Sequence, residues 1–308
     1  MARPRALLVV YLVVVVTLLA GSLHKYGSAS DKISAATIAE SRLPELLSQT
    51  GLFALRCVML AINLYATMHK LTTSEDKVVL HLPASALPPS VAIHIKGPMW
   101  LTFFTVEAWC LQGAYLLGAT VCSASTLYGL ELPFGEWVPT ALWMAFEVSF
   151  AVAVLVSFIV KYVLIPGVLG KGQSVDNFFE IDDLLMHNCN VLFMALELLF
   201  NDLPITLGHF PLAALWGLTY VVFSWVWLAW KGVCWYDFLD PTLPNACVVH
   251  TVLVSVLGVF FAIGAGIGEL ALTISSPHVR VGIVLAGVAT VCKTGILTGV
   301  PQPHLKKG

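Results

Sequence analysis

The stretch Leu184–Asp202, LLMHNCNVLFMALELLFND, is apolar enough for a membrane helix yet holds His187, Asn188, Asn190 and Glu197. With His187 set to 0° at about 100° per residue, Asn190 falls at about 300°, Met194 at 340° and Glu197 at 280°. Three of the four polar residues therefore share one stripe, and Asn188 lies off it. An earlier segment, LTFFTVEAWCLQGAYLLGA, repeats the pattern. With Thr102 at 0°, Thr105 falls at about 300°, Trp109 at 340° and Gln112 at 280°, while Glu107 sits opposite at about 140°.

A hydroxyl beside an imidazole is the minimum apparatus for nucleophilic catalysis. The imidazole takes the hydroxyl proton as the oxygen attacks a carbonyl, then returns it to the leaving group. A hydroxyl from Thr102 or Thr105, with His187 as base, is the catalytic candidate. Thr102, Gln112, Asn190, Glu197, His250 and Glu147 are supporting candidates. Glu197 lies ten residues from His187, about 15 Å along a helix, which is too deep for a direct triad partner. The competing structural reading is equally concrete. Threonines in membrane helices bond the carbonyl one turn back, and His or Asn often joins helices. Glu147, Arg56 and Lys293 are read as structural partners.

These residues need a scaffold that spans a membrane. The 308-residue chain is 58% hydrophobic and only 11% charged, with a mean hydropathy of +0.87. A soluble domain carries about 25% charged residues. The fold expected is all-α, a polytopic helical bundle of about seven or eight spans. A span needs about 20 apolar residues, and the segments that fit are roughly 6–22, 51–68, 99–122, 138–165, 183–201, 210–231, 246–272 and 278–300. The last is the weakest because it carries Lys293. The organisation expected is an N-terminal helix or signal anchor over 1–22, a polar outer segment over 23–50, a helical core over 51–272 and a C-terminal hydrophobic segment and tail over 273–308. A basic start, an apolar run and small residues also suit residues 1–22 to a cleaved signal peptide.

Ten Lys and Arg residues lie on the inner side against four on the outer when the N-terminus is placed inside, which favours that orientation. Segments three and five then run in the same direction. Thr102, Thr105 and His187 lie near the same membrane face, and His250 at the start of the seventh segment joins them. KVVLHL and SVAIHIK alternate like two short strands near 78–95. The seven cysteines form no C-x-x-C pair, so neither a zinc site nor a disulfide framework is indicated. No metal and no cofactor are expected. The expected partner is membrane lipid, with a lipid ester as the substrate of the catalytic reading. No basic run suggests nucleic acid. The expected location is the endoplasmic reticulum or plasma membrane.

Several motifs add a family resemblance. FFTVEAWCLQGAYLLGA resembles a helix of the rolling-stone-like multi-pass membrane proteins, with Thr105, Gln112 and Tyr115 at its motif positions. LLMHNCNVLFMALELLFNDLPITLGHFP resembles their H-x-x-N helix and following stretch through His187, Asn190, His209 and Pro211. WGLTYVVFSWVWLAWKGVCWYDFLDP resembles the next helix through Gly217, Tyr220 and Asp240, with Asp237 where that family has Pro. ALWMAFEVSFAVAVLVSF resembles the counterpart helix, with Glu147 in place. The related androgen-induced-gene transmembrane hydrolases are threonine hydrolases of fatty acid esters of hydroxy fatty acids. They carry a Thr with Gln seven residues on and a His with Glu ten residues on. Thr105 with Gln112, and His187 with Glu197, are similar to both spacings. The resemblance covers roughly 50–272 and implies Thr105 as nucleophile and His187 as base. Val106-Glu107 departs from its pattern after the Thr.

The resemblance to hydrolases implies a lipid-ester hydrolase. The rolling-stone-like side implies a non-catalytic membrane protein in cell-surface interaction, fusion or signalling. A transporter or metal site would use His187, His250 and membrane carboxylates, but only two histidines share that level, fewer than the three ligands a metal shell needs.

Overall fold

The computed structural model describes residues 2–26, 33–81, 90–170, 172 and 174–293. Helix α1 spans Ala2–Tyr26 and the short α2 Ala35–Ala39. Then come α3 (Gln49–Thr72), strands β1 (Glu75–His81) and β2 (Ser90–Lys96), and α4 (Phe104–Tyr128). Helix α5 (Val138–Ile159) runs through a π-helical turn, Val160–Leu164, into α6 (Ile165–Gly170). Helix α7 (Ile181–Leu184) runs through a second π turn, Leu185–Cys189, into α8 (Asn190–Phe200). The chain closes with α9 (Phe210–Lys231), α10 (Ala246–Thr273) and α11 (Pro277–Val291).

Local chemistry sets these ends. Ser48 caps α3 by accepting from the Gly51 amide at 3.1 Å, which satisfies one of the free N–H groups of a first turn. Pro139 and Pro211 sit in the first turns of α5 and α9, where no N–H is missed. Gly129 and Gly232 end α4 and α9 at φ of 64° and 74°, a left-handed conformation that glycine adopts without strain.

Among the described residues, six helical stretches are long and apolar enough to cross a membrane: Leu8–Lys25, Gln49–Thr72, Val138–Gly170, Ile181–Phe200, Leu207–Lys231 and Ala246–Leu270. Helix α4 is not among them, although its 25 residues suffice in length. Its polar and small residues, Glu107, Gln112, Ser123 and Ser125 among them, lower its hydropathy. It runs antiparallel along all of α3: Trp100, just before it, donates to the Ser74 carbonyl at 3.0 Å, and Tyr128 at its far end meets Phe53. A 3-10 turn, Gly97–Thr102, precedes it, so the helix begins later than the hydropathy pattern suggests. Helix α11 has 15 residues, shorter than a span, and ends before Lys293.

The bundle buries charged and polar side chains within an apolar core and turns apolar side chains outward. Arg56, Glu147, His187, Glu197, His209 and Lys293 are buried, whereas Val58, Leu64, Leu117, Val226, Val252 and Val259 face outward. Charged groups inside and apolar groups outside suit lipid as the solvent. Between α3 and α4 the packing is reciprocal: Asn63 Nδ2 donates to the Trp109 carbonyl at 3.0 Å, and Trp109 Nε1 to the Asn63 carbonyl at 3.1 Å. In the glycine-rich part of α10, Gly264 makes room for the Phe150 ring.

The two strands pair antiparallel with Lys77 opposite His94; Pro88 and Pro89 lie outside the described residues. Among the described residues between α1 and α3, the helix formed is the five-residue α2. Beyond it Ser41 bridges to Asn201, and Arg42 pairs with Asp202 at 3.2 Å, tying this segment to the end of α8.

Candidate functional site

The two π turns and the loops at one end of the bundle position the residues of interest. Thr102 spends its hydroxyl on the Met99 carbonyl at 2.7 Å. Thr105 is different: its hydroxyl interacts with the phenol of Tyr236, and it lines a cavity between α4, α5, α9, α10 and the Tyr236–Leu239 loop. The cavity is almost wholly apolar, with Leu155, Ile159, Val254 and Leu257 among its walls, and occupies about 730 Å³ counting its open mouth. Its polar groups are Thr105, Tyr220, Tyr236 and His250. Tyr220 donates to the Thr102 carbonyl at 3.0 Å, so the α4 start is held by the same group. Burial pushes the Tyr236 phenol up to about 12, so it stays a neutral donor beside Thr105.

His187 has other neighbours. Its Nδ1 lies 2.7 Å from the Asp183 carbonyl and 3.0 Å from Lys293 Nζ. Lys293 also donates to the Phe178 carbonyl. Asn188 grips the Lys293 backbone twice, donating to its carbonyl and accepting from its amide, both at 3.0 Å. Lys161 caps the end of α11 through the Thr290 and Cys292 carbonyls at 2.7 and 2.9 Å. Thr105 and His187 share one end of the bundle, but among the described residues no hydrogen bond joins them.

The stripes do meet deeper in the bundle. Gln112 Nε2 donates to the Asn190 carbonyl at 2.8 Å. Asn190 Oδ1 accepts from Ser157 Oγ at 3.0 Å, and Ser157 also bonds the His187 carbonyl. One level further, Arg56 makes two bonds to Glu197, at 2.8 and 2.7 Å. Tyr115 and Asn201 donate to the same carboxylate at 2.6 and 2.8 Å. Glu197 is thus the hub of a closed ion-pair network. Glu147 is held separately, by His209 Nδ1 at 2.6 Å and the Thr206 amide at 2.5 Å, and it anchors the loop before α9.

A second, polar cavity of about 800 Å³, again counting its open mouth, lies where α3, β1 and α7 converge. Ser74 donates to Asp182 at 2.5 Å and His69 contacts the same carboxylate at 2.9 Å. The carboxylate sits between serine and histidine, so the serine proton faces an acid rather than an imidazole, which is not the order of a catalytic triad. Lys70 pairs with Asp183 at 3.2 Å and lies 4.0 Å over the Trp100 ring. Sequence reasoning missed this cluster, and Tyr236 with it. Periodicity marks helix faces, whereas these residues sit at helix ends and in loops. Among the described residues no group of three or more His, Cys, Asp or Glu could hold a metal ion.

Among the described residues, six membrane-length apolar helices that enclose buried charged groups define a multi-pass integral membrane protein. The chain matches no family model, no curated protein and no solved structure.

Proposed function

We propose that this membrane protein is an intramembrane lipid-ester hydrolase with Thr105 as nucleophile. The observation that carries the reading is the placement of the Thr105 hydroxyl on the wall of an apolar cavity among membrane helices. An ester lipid entering there lays its acyl chain on apolar walls and its carbonyl near the hydroxyl. The resemblance of the Thr105–Gln112 and His187–Glu197 spacings to the androgen-induced-gene hydrolases supports the same reaction. Tyr236, a neutral phenol beside Thr105, is a donor for a developing oxyanion. His187 serves as the base only after its contacts with Asp183 and Lys293 are released by substrate entry.

The test is labelling by a lipophilic fluorophosphonate, which traps activated hydroxyl nucleophiles, on membranes carrying wild type, Thr105→Ala or His187→Ala. Labelling of wild type lost in both variants is the expected result. Labelling retained in Thr105→Ala removes the nucleophile, and labelling retained in His187→Ala removes the base.

A second reading, a non-catalytic protein resembling the rolling-stone-like family, is favoured by the bonds His187, Asn190, Gln112 and Glu197 already make to other helices. In that reading the stripes hold the bundle together, and a well-folded wild type takes no label.

A further inference from the structure

Helix α11 is fastened to the bundle at its C-terminal end, and both π turns supply the fastening. From Val160–Leu164, Lys161 Nζ donates to the Thr290 and Cys292 carbonyls, and the Tyr162 hydroxyl donates to the Thr290 carbonyl at 2.7 Å. From Leu185–Cys189, Asn188 holds the Lys293 backbone from both sides, and His187 Nδ1 lies 3.0 Å from Lys293 Nζ. Single π turns within α-helices recur at functional sites. Here two of them present side chains to one helix end. The last carbonyls of a helix lack partners within it and carry partial negative charge, which the Lys161 ammonium meets.

Along its length the same helix is loosely held. Val284 is its one buried side chain among the described residues, packed on Leu43, Ala195 and Leu199. An element with few buried apolar contacts opens more readily than the whole fold. The residue beyond its end adds to this. Lys293 is 3% exposed. Its Nζ meets the Phe178 carbonyl and the His187 ring, which compensate a buried ammonium less fully than a carboxylate would. Burial lowers the amine to about 7, against the attraction of Asp183 and with the repulsion of Lys70. The Asp183 carboxylate is itself paired with Lys70 at 3.2 Å. The docked position thus opposes the charge of its own side chain, and an end held this way is poised to lift.

Beneath that end lies His187, 6% exposed. We propose that α11 and Lys293 form an autoinhibitory strap: docked on the two π turns it shuts off the His187 imidazole, and its lifting frees the ring for catalysis. This rests on the reading of His187 as the base of the hydrolase. The release of the Lys293 contact on substrate entry is then the lifting of α11. The covering of His187 holds whether or not the chain is an enzyme.

The experiment is treatment of the full chain in nanodiscs with diethyl pyrocarbonate, which modifies accessible imidazoles, read at each histidine by mass spectrometry. His94, exposed, and His250, buried, are internal references. Wild type is expected to be modified at His94 and protected at His187. Asn188→Ala and Lys161→Met each remove two bonds to the strap. Each should raise modification of His187 at least about fivefold, the scale of one or two lost hydrogen bonds, with His94 and His250 unchanged. Val284→Asp unseats the strap from its own surface, gives the same result, and decides the matter should the π-turn variants fail to fold. Hydrogen exchange in Pro277–Val291 reports whether the strap has lifted. A folded variant with fast exchange there and His187 still protected overturns the proposal. So does full modification of His187 in wild type, or unchanged exchange in all three variants, since the strap is then not a separable element. Fluorophosphonate labelling of the same variants separates the two readings. Labelling that rises as His187 is uncovered supports both. Labelling absent from wild type and variants alike, with His187 uncovered, overturns only the hydrolase. Labelling of wild type that stays constant as His187 is uncovered overturns the autoinhibition.

Discussion

Arg56 and Glu197 face each other through two hydrogen bonds of 2.8 and 2.7 Å, with both side chains 0% exposed. Arg56 also donates to the Ile38 carbonyl and Ser123 Oγ, each at 2.8 Å. The pair therefore joins α3, α4 and α8 to the α2 segment at one point. Each charge alone would be costly at this depth; together, with Tyr115 and Asn201 on the carboxylate, they are neutralised and saturated.

Breaking that pair from one side leaves an uncompensated buried charge. Arg56→Met is expected to lower stability by about 3–5 kcal/mol, while Arg56→Met/Glu197→Met recovers most of the loss. Thermal unfolding of the purified protein in detergent checks this: a double variant no more stable than the single would contradict the account.

Gly113 touches Asn63 so closely that an added Cβ would lie 2.3 Å from Asn63 Oδ1. Gly113→Ala must displace the side chain that clamps α3 to α4, at a cost of about 1–3 kcal/mol. Because both residues act at one contact, Asn63→Ala and Gly113→Ala should be strongly non-additive. Additive shifts in a double-mutant cycle would refute the shared contact.

Asn188→Ala removes both hydrogen bonds that hold the Lys293 backbone. The end of α11 should open locally while the core stays closed, because local and global unfolding are separable. Hydrogen exchange should speed up about tenfold in Pro277–Val291 and stay unchanged in α3 and α4. Equal acceleration everywhere would show that the latch is part of the global fold.

Tyr236 has a folded pKa raised by burial from 10.0 to about 12. The neutral phenol is favoured by folding, so its contribution to stability is fully present below pH 10 and is lost as pH rises through about 12. Unfolding measured between about pH 9 and 12 should therefore show an alkaline decline that Tyr236→Phe reduces. An unchanged slope in the variant would place the phenol in solvent.

Much of the bundle was legible in the residues because membrane solvation acts on each segment separately. A run such as Val138–Gly170 has few other stable conformations in a bilayer, and Gly129, Gly232, Pro139 and Pro211 mark their own helix ends. The alternation of KVVLHL and SVAIHIK likewise announced the strand pair. Helix α4 was recognisable despite its polar residues, since their spacing put Thr105 and Gln112 on one face, although Thr102, read on the same face, lies in the 3-10 turn before the helix.

What each face meets is a different kind of information. Wheel angles assume 100° per residue, but the chain passes through a π turn at Leu185–Cys189, which no hydrophobic period announces, and His187 lies inside it. The sequence alone put Thr105, His187 and His250 at one end of the bundle. Only the packing of α5, α9, α10 and α11 decided that Thr105 shares a cavity with Tyr236 and His250, while His187 meets Lys293. The physical reason is that depth follows from position along a helix, whereas side-chain pairing depends on the rotation and neighbours of every helix at once.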